Sequence, residues 1–70
     1  MRRNKKYDYK PLEIRWNDKD GNLDKRVLID GCLFESTIEL AIKDSNGRKT
    51  EIWTRNTPYN NKEEECIWEK

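Results

Sequence analysis

The longest uninterrupted hydrophobic pattern in the chain runs from residue 32 to residue 43 (C-L-F-E-S-T-I-E-L-A-I-K). Its apolar residues recur at every second position, and a β-strand places alternate side chains on opposite faces. The pattern therefore predicts the central strand of a small sheet, with one mostly apolar face and one mostly polar face. The apolar face comprises the even-numbered positions Cys32, Phe34, Ser36, Ile38, Leu40 and Ile42.

The same stretch also carries signals that favour a helix. Residues 36–39 (S-T-I-E) match a helix capping box, and Asn46-Gly47 is typical of a helix C-terminus. The apolar positions, however, alternate more regularly than they recur at spacings of three and four, which favours the strand. The helix is kept as the rival interpretation.

A β-hairpin is predicted upstream. Residues 12–16 (L-E-I-R-W) alternate between apolar and polar, the next six (N-D-K-D-G-N) are rich in turn formers, and residues 23–29 form a second apolar segment. If Asp20-Gly21 is the two-residue loop, the apolar side chains of both strands gather on one face. The expected pairs are Leu12 with Ile29 and Ile14 with Val27.

Two further turns are predicted around the central stretch. Asp30-Gly31 would join it to the second strand, and residues 44–47 (D-S-N-G) would join it to a third strand. A three-residue loop with Gly47 left-handed places Ile52 opposite Leu40 and leaves Trp53 on the outer face, whereas a two-residue loop buries Trp53. The position of Trp53 is therefore the structural question with most bearing on function.

The predicted fold is a mainly β domain, an antiparallel meander of four or five strands, with closure into an SH3-like or OB-like barrel as a variant. A loop is predicted at residues 57–61, and a short C-terminal helix is predicted at residues 62–70 (K-E-E-E-C-I-W-E-K), with a last strand as the alternative. The chain divides into a basic N-terminal arm at residues 1–10 and a single domain at residues 11–70.

Composition bears on the class of function. The chain has 70 residues, 41% of them charged, with a net charge of +1 and no histidine. The common nucleophilic triads and zinc sites need histidine or clustered cysteines, so the sequence predicts no enzyme, no metal site and no cofactor. No apolar run would span a bilayer or serve as a secretory signal. A cytoplasmic protein with Cys32 and Cys66 reduced is expected.

The preferred functional hypothesis is a protein-interaction module that binds a larger protein stoichiometrically, as an inhibitor, adaptor or regulatory subunit. A phage or mobile-element protein that blocks a host enzyme would fit this class. Exposed aromatic side chains with flanking charges are typical of binding hot spots, and an unpaired sheet edge would also permit a homodimer. The candidate contact residues are Trp53, Tyr59, Arg48, Glu51 and Arg55.

The alternative hypothesis is a small β-barrel that binds nucleic acid. Its phosphate contacts would come mainly from the N-terminal arm, and exposed aromatic side chains would stack on bases. The near-neutral total charge weakens this hypothesis, because binders of duplex DNA usually carry a clear positive excess. The candidate residues of the arm are Arg2, Arg3, Lys5, Lys6 and Lys10.

Overall fold

A computed structural model of the protein describes residues 6–56 and 63–70. Four strands form one antiparallel sheet in the order β2-β1-β3-β4, so that β2 and β4 lie at its two edges. The sheet is not closed, and the prediction of a mainly β domain with four antiparallel strands is confirmed. The elements are β1 (Leu12–Asn17), β2 (Leu23–Ile29), α1 (Phe34–Lys43), β3 (Lys49–Thr54) and β4 (Cys66–Glu69).

The segment that was predicted as the central strand is a helix, α1. Its buried residues are Phe34, Thr37 and Ala41, which recur at the spacings of one helix face, whereas Ile42 is exposed. The even-numbered face predicted for a strand is therefore wrong. Ala41 and Thr37 occupy core positions, and a pattern based on large apolar side chains does not include them.

The beginning of α1 is capped by a distant residue. Leu33 stands at the N-cap position and supplies no side-chain hydrogen bond, so the capping box predicted at residues 36–39 does not form the helix start. Instead, Asp8 Oδ1 accepts the Phe34 N–H at 2.9 Å. Tyr7 packs against the Phe34 ring at a centroid distance of 5.4 Å. Residues 7 and 8 of the predicted arm thus contact the domain directly.

The register of the first hairpin is confirmed. Leu12 pairs with Ile29 and Ile14 pairs with Val27, as the gathering of apolar side chains on one face requires. A β-bulge near Asn17 shifts the last pair by one residue. In the turn that follows, Asp18 Oδ1 accepts the backbone N–H groups of residues 20 and 22, a standard role for a turn aspartate.

The connections after β2 differ from the prediction. Asp30-Gly31 leads into α1 rather than into a strand, and α1 carries the chain across the sheet, so β3 pairs with β1. The meander order is therefore wrong, and Ile52 lies opposite Ile14 instead of Leu40. Asn46 and Gly47 are both left-handed, with φ of 49° and 79°, and neither of the two predicted hairpin loops is present. The loop joins a helix, not a strand, to β3.

The chain's C-terminal residues form strand β4, which corrects the helix predicted for residues 62–70. Trp68 pairs with Ile52 and packs against the core, while Cys66 pairs with Trp53 on the opposite face. A bulge between these pairs accommodates Ile67, which also packs against the core. The alternative of a last strand was the correct one.

The core lies between α1 and one face of the sheet. Leu12, Ile14 and Trp16 on β1 and Ile52 on β3 are fully buried there. The Trp16 indole N–H donates to the Ala41 carbonyl at 3.0 Å, a hydrogen bond between the sheet and the helix. This satisfies a polar group that would be costly to bury alone. The opposite face of the sheet is not covered by the helix.

Candidate functional site

The face of the sheet opposite α1, called here the outer face, is the candidate functional site. Alternation along the strands dictates its members, because each one neighbours a core residue in sequence. The cross-strand pairs then set them side by side. The outer face comprises Glu13, Arg15 and Asn17 on β1, Arg26 and Leu28 on β2, Lys49, Glu51 and Trp53 on β3, and Cys66 and Glu69 on β4.

Trp53 and Arg15 form the centre of the outer face. The Arg15 guanidinium lies over the half-buried Trp53 ring, 4.4 Å from its centroid, in a cation–π arrangement. The Trp53 indole N–H donates to Glu51 Oε1 at 3.3 Å, and the Asn17 side-chain amide donates to the same oxygen at 3.1 Å. These contacts fix the ring, so the aromatic surface is held in one orientation.

A buried carboxylate stands beside this centre. The Glu13 side chain is only 4% exposed, and it pairs with the Arg15 Nε and with Arg26 Nη1, the latter at 3.7 Å. Leu28 and Trp53 are its neighbours on the two adjacent strands. A buried charge is tolerated only when it is paired, so Glu13 holds both arginines in place.

Groups that can bind a metal meet at the β4 side of the outer face. Ligand atoms of Glu51, Cys66 and Glu69 lie within 4.8 Å of one another. The pKa of the Cys66 thiol is above its usual value because partial burial disfavours the thiolate, and the two carboxylates add to this effect. A raised pKa keeps the thiol protonated at neutral pH, which opposes metal binding and nucleophilic attack. Cys32 and Cys66 are both free and exposed.

The structure describes four of the five predicted contact residues. Trp53 and Glu51 lie together on the outer face, in mutual contact. Arg48 and Arg55 lie elsewhere, and Tyr59 is outside the described residues. Among the residues that can be placed, Trp53 and Glu51 share the outer face, and Glu51 also lines a groove together with Arg48.

Arg48 serves the fold. Its guanidinium donates to the carbonyls of Asp44 and Ser45 at the end of α1, at 2.6 and 3.0 Å, and pairs with Asp24 on β2. A cation at a helix C-terminus is favourable for the helix dipole. These contacts fasten the turn after α1 to strand β2.

Arg55 is similarly engaged within the domain. Its Nη2 atom donates to both carboxylate oxygens of Asp30, at 3.2 and 3.1 Å. Its backbone N–H donates to the Pro11 carbonyl. The side chain therefore ties the end of β3 to the end of β2, and only 16% of it is exposed for a partner.

Only two of the five candidate residues of the nucleic-acid hypothesis, Lys6 and Lys10, are among the described residues. Arg2, Arg3 and Lys5 lie outside the described part. Lys6 is placed with its ammonium group 5.4 Å from the centroid of the Tyr7 ring, and Lys10 is exposed. The Tyr7 ring is partly buried against the core, whereas Tyr9 is 66% exposed.

The predicted site residues did not include Glu13, Arg15, Arg26 or Leu28. The alternation of β1 was a sufficient signal for the orientation of Glu13 and Arg15. It could not show that Trp53 is their neighbour, because that contact depends on the pairing of β1 with β3.

A shallow groove lies at one end of the sheet, between the turn after β1 and the turn after α1. It has a volume of about 870 Å³ and is open to solvent. Both signs of charge line it, including Lys19, Lys49 and Arg48 against Asp18 and Asp24. Such a mixed lining favours neither an anionic nor a cationic ligand.

Comparison of the chain with protein family models, with curated proteins and with solved structures found no match. Within residues 6–56 and 63–70, no helix has the length and apolar character needed to cross a membrane. The contacts and the composition of the outer face are therefore the basis for a proposed function.

Proposed function

We propose that the protein is a non-enzymatic interaction module that binds a larger protein through the outer face, as an inhibitor, adaptor or regulatory subunit. The observation that carries this proposal is the Trp53 ring, held under Arg15 at the centre of a sheet face that the helix leaves uncovered. Tryptophan and arginine are the residues most enriched at binding hot spots. Because both side chains are already ordered, binding requires little further loss of side-chain entropy.

The composition of the face also suits a protein partner. Leu28, 55% exposed, supplies an apolar contact beside the centre. Charged residues of both signs lie beside Leu28 and Trp53 on this face. Such charges determine orientation and partner choice more than affinity.

The distribution of charge favours a protein over nucleic acid. The chain has 15 Lys and Arg residues against 14 Asp and Glu residues, so its net charge is only +1. Binders of duplex DNA usually carry a clear positive excess. The four arginines of the described part are all paired with carboxylates. A phosphate backbone prefers unpaired cations grouped on one surface.

The test is a capture experiment with matched variants. Tagged wild-type protein, Leu28→Glu and Ile42→Glu are used as baits in extracts of the native cells, with and without nuclease. Both changes place a carboxylate at an exposed apolar position, but Ile42 lies on α1, away from the outer face. Bound proteins are identified by mass spectrometry, and the complex is then titrated with purified components.

The expected result is a protein that wild type and Ile42→Glu retain in equimolar amounts after nuclease treatment, and that Leu28→Glu loses. Retention by all three baits would contradict the assignment of the outer face. Retention that disappears with nuclease and falls steeply with salt would replace the proposal with the nucleic-acid hypothesis.

A further inference from the structure

Charge is unevenly distributed across the outer face. In one row of cross-strand neighbours, Arg26 lies opposite Arg15, Arg15 opposite Glu51, and Glu51 opposite Glu69. The row therefore has two cations on the β2 side of the sheet and two carboxylates on the β4 side. We call these four residues the charge row.

The charge row is complementary to itself under two-fold symmetry. An axis parallel to the strands, midway between β1 and β3 and above the outer face, sets the β2 side of one copy over the β4 side of the other. Arg26 then faces Glu69 of the second copy, and Arg15 faces Glu51 of the second copy. Closed dimers use self-complementary surfaces of this kind, with every contact made twice.

The outer members of the row are the ones free to make new contacts. Arg15 is already engaged within the monomer with Glu13, Glu64 and Trp53. Glu51 is engaged with Trp53 and Asn17. The side chains of Arg26 and Glu69 are more exposed, at 56% and 61%, and their ion pairs within the chain are long. The pairing of Arg26 with Glu69 across the axis would therefore carry the specificity of the contact.

The apolar residue of the face and its dimensions agree with this arrangement. The same axis brings Leu28 on β2 over Cys66 on β4 of the second copy, two exposed side chains with no charge at neutral pH. The described domain is a plate of 33 × 31 × 15 Å, and the outer face lies on one of its broad sides.

We propose that the free protein forms a two-fold dimer through its outer faces, with Arg26 of each copy facing Glu69 of the other. This inference rests on the proposed function, since both assign protein binding to the outer face. The two sheets pack face to face, about 10 Å apart and with strands within about 30° of each other. The dimer covers Trp53, so a larger partner competes with it.

Dimerisation through the exposed edge of β2 is less favourable. An antiparallel pair of identical strands related by a two-fold axis places one residue opposite its own copy. A pair centred on Asp24, Lys25 or Arg26, the middle of the strand, sets like charges against each other. Charged residues at this edge are a usual means of preventing strand addition.

The test uses charge reversal and sedimentation velocity over a range of concentrations. Arg26→Glu alone and Glu69→Arg alone each create two repulsive contacts in the dimer. An equimolar mixture of the two variants restores both contacts, because Glu at position 26 of one copy then faces Arg at position 69 of the other. Lys43→Glu and Glu39→Arg are the controls, since they make the same charge changes at exposed positions of α1, away from the outer face.

The expected result is a wild-type dimer that weakens with salt, and a dissociation constant that rises about tenfold in each single variant. The mixture is expected to form heterodimers, and the controls to behave as wild type. Arg26 also pairs with the buried Glu13, so thermal melts are needed to show that Arg26→Glu is folded. If it is not, Glu69→Arg and Glu69→Gln still test the contact, with Glu69→Gln expected to be intermediate.

Several results would overturn the dimer. They are a monomer at all concentrations, a dimer indifferent to all four reversals, or two folded single variants that do not form heterodimers. A monomeric wild type together with loss of capture by Leu28→Glu would remove the dimer and keep the proposed function. A dimer that weakens in the single charge variants, together with no captured protein, would keep the dimer and remove the proposed function.

Discussion

Replacement of Asp8 by alanine should destabilise the domain although Asp8 lies outside the sheet and the helix. The Asp8 carboxylate accepts the Phe34 N–H at 2.9 Å, and α1 has no side-chain cap of its own at Leu33. Loss of a capping side chain costs about 0.5–2 kcal/mol, typically about 1 kcal/mol. For a domain of this size, 1 kcal/mol corresponds to a decrease in Tm of about 4–8 °C.

Thermal and urea unfolding, followed by circular dichroism, measure this effect. Asp20→Ala is the matched control, because it makes the same change in an exposed turn. Asp8→Asn should keep most of the stability, since an amide oxygen also accepts the hydrogen bond. A Tm for Asp8→Ala equal to that of the control would refute the reasoning. The Asp8 hydrogen bond would then contribute nothing measurable to the stability of α1.

Three other changes probe the core and the β4 side of the outer face. Phe34→Ala should lower the free energy of unfolding by about 3–5 kcal/mol, enough to leave a domain this small largely unfolded in urea titrations, whereas near-native stability would contradict the described core. Trp16→Phe should cost about 1–3 kcal/mol because the Ala41 carbonyl loses its buried donor, and a hydrogen-exchange experiment should show faster opening at the end of α1. Alkylation of Cys66 by iodoacetamide should have a midpoint at higher pH than that of a free cysteine peptide, because its pKa is raised and the thiolate fraction at any given pH is smaller. Glu69→Gln removes one of the causes of the raised pKa, so it should speed the reaction at neutral pH, and an unchanged rate would show that this carboxylate has no influence.

The first hairpin could be predicted because its information is local. The alternation of Leu12, Ile14 and Trp16 and the turn after them together determine which side chains share a face. Moving the register by one residue would expose the whole apolar set. The structure contains both expected pairs, Leu12 with Ile29 and Ile14 with Val27.

The helix could not be predicted from the same kind of signal. Its large apolar residues alternate like those of a strand, and its core positions include Thr37 and Ala41, which carry little weight in a hydrophobic pattern. Its cap comes from Asp8, which is far away in sequence. The site was missed in part for a related reason, because Arg15 meets Trp53 only through the pairing of β1 with β3.

The strand order has a consequence for how the domain forms. The two inner strands, β1 and β3, belong to different halves of the chain, and even their nearest paired residues, Asn17 and Lys49, are separated by β2 and α1. Closing so long a segment has an entropic cost before any contact compensates for it, which slows folding. During synthesis the first hairpin has no partner for its inner edge until the third strand emerges. Mutations that weaken that early hairpin should therefore reduce the yield of folded protein more than their effect on equilibrium stability implies.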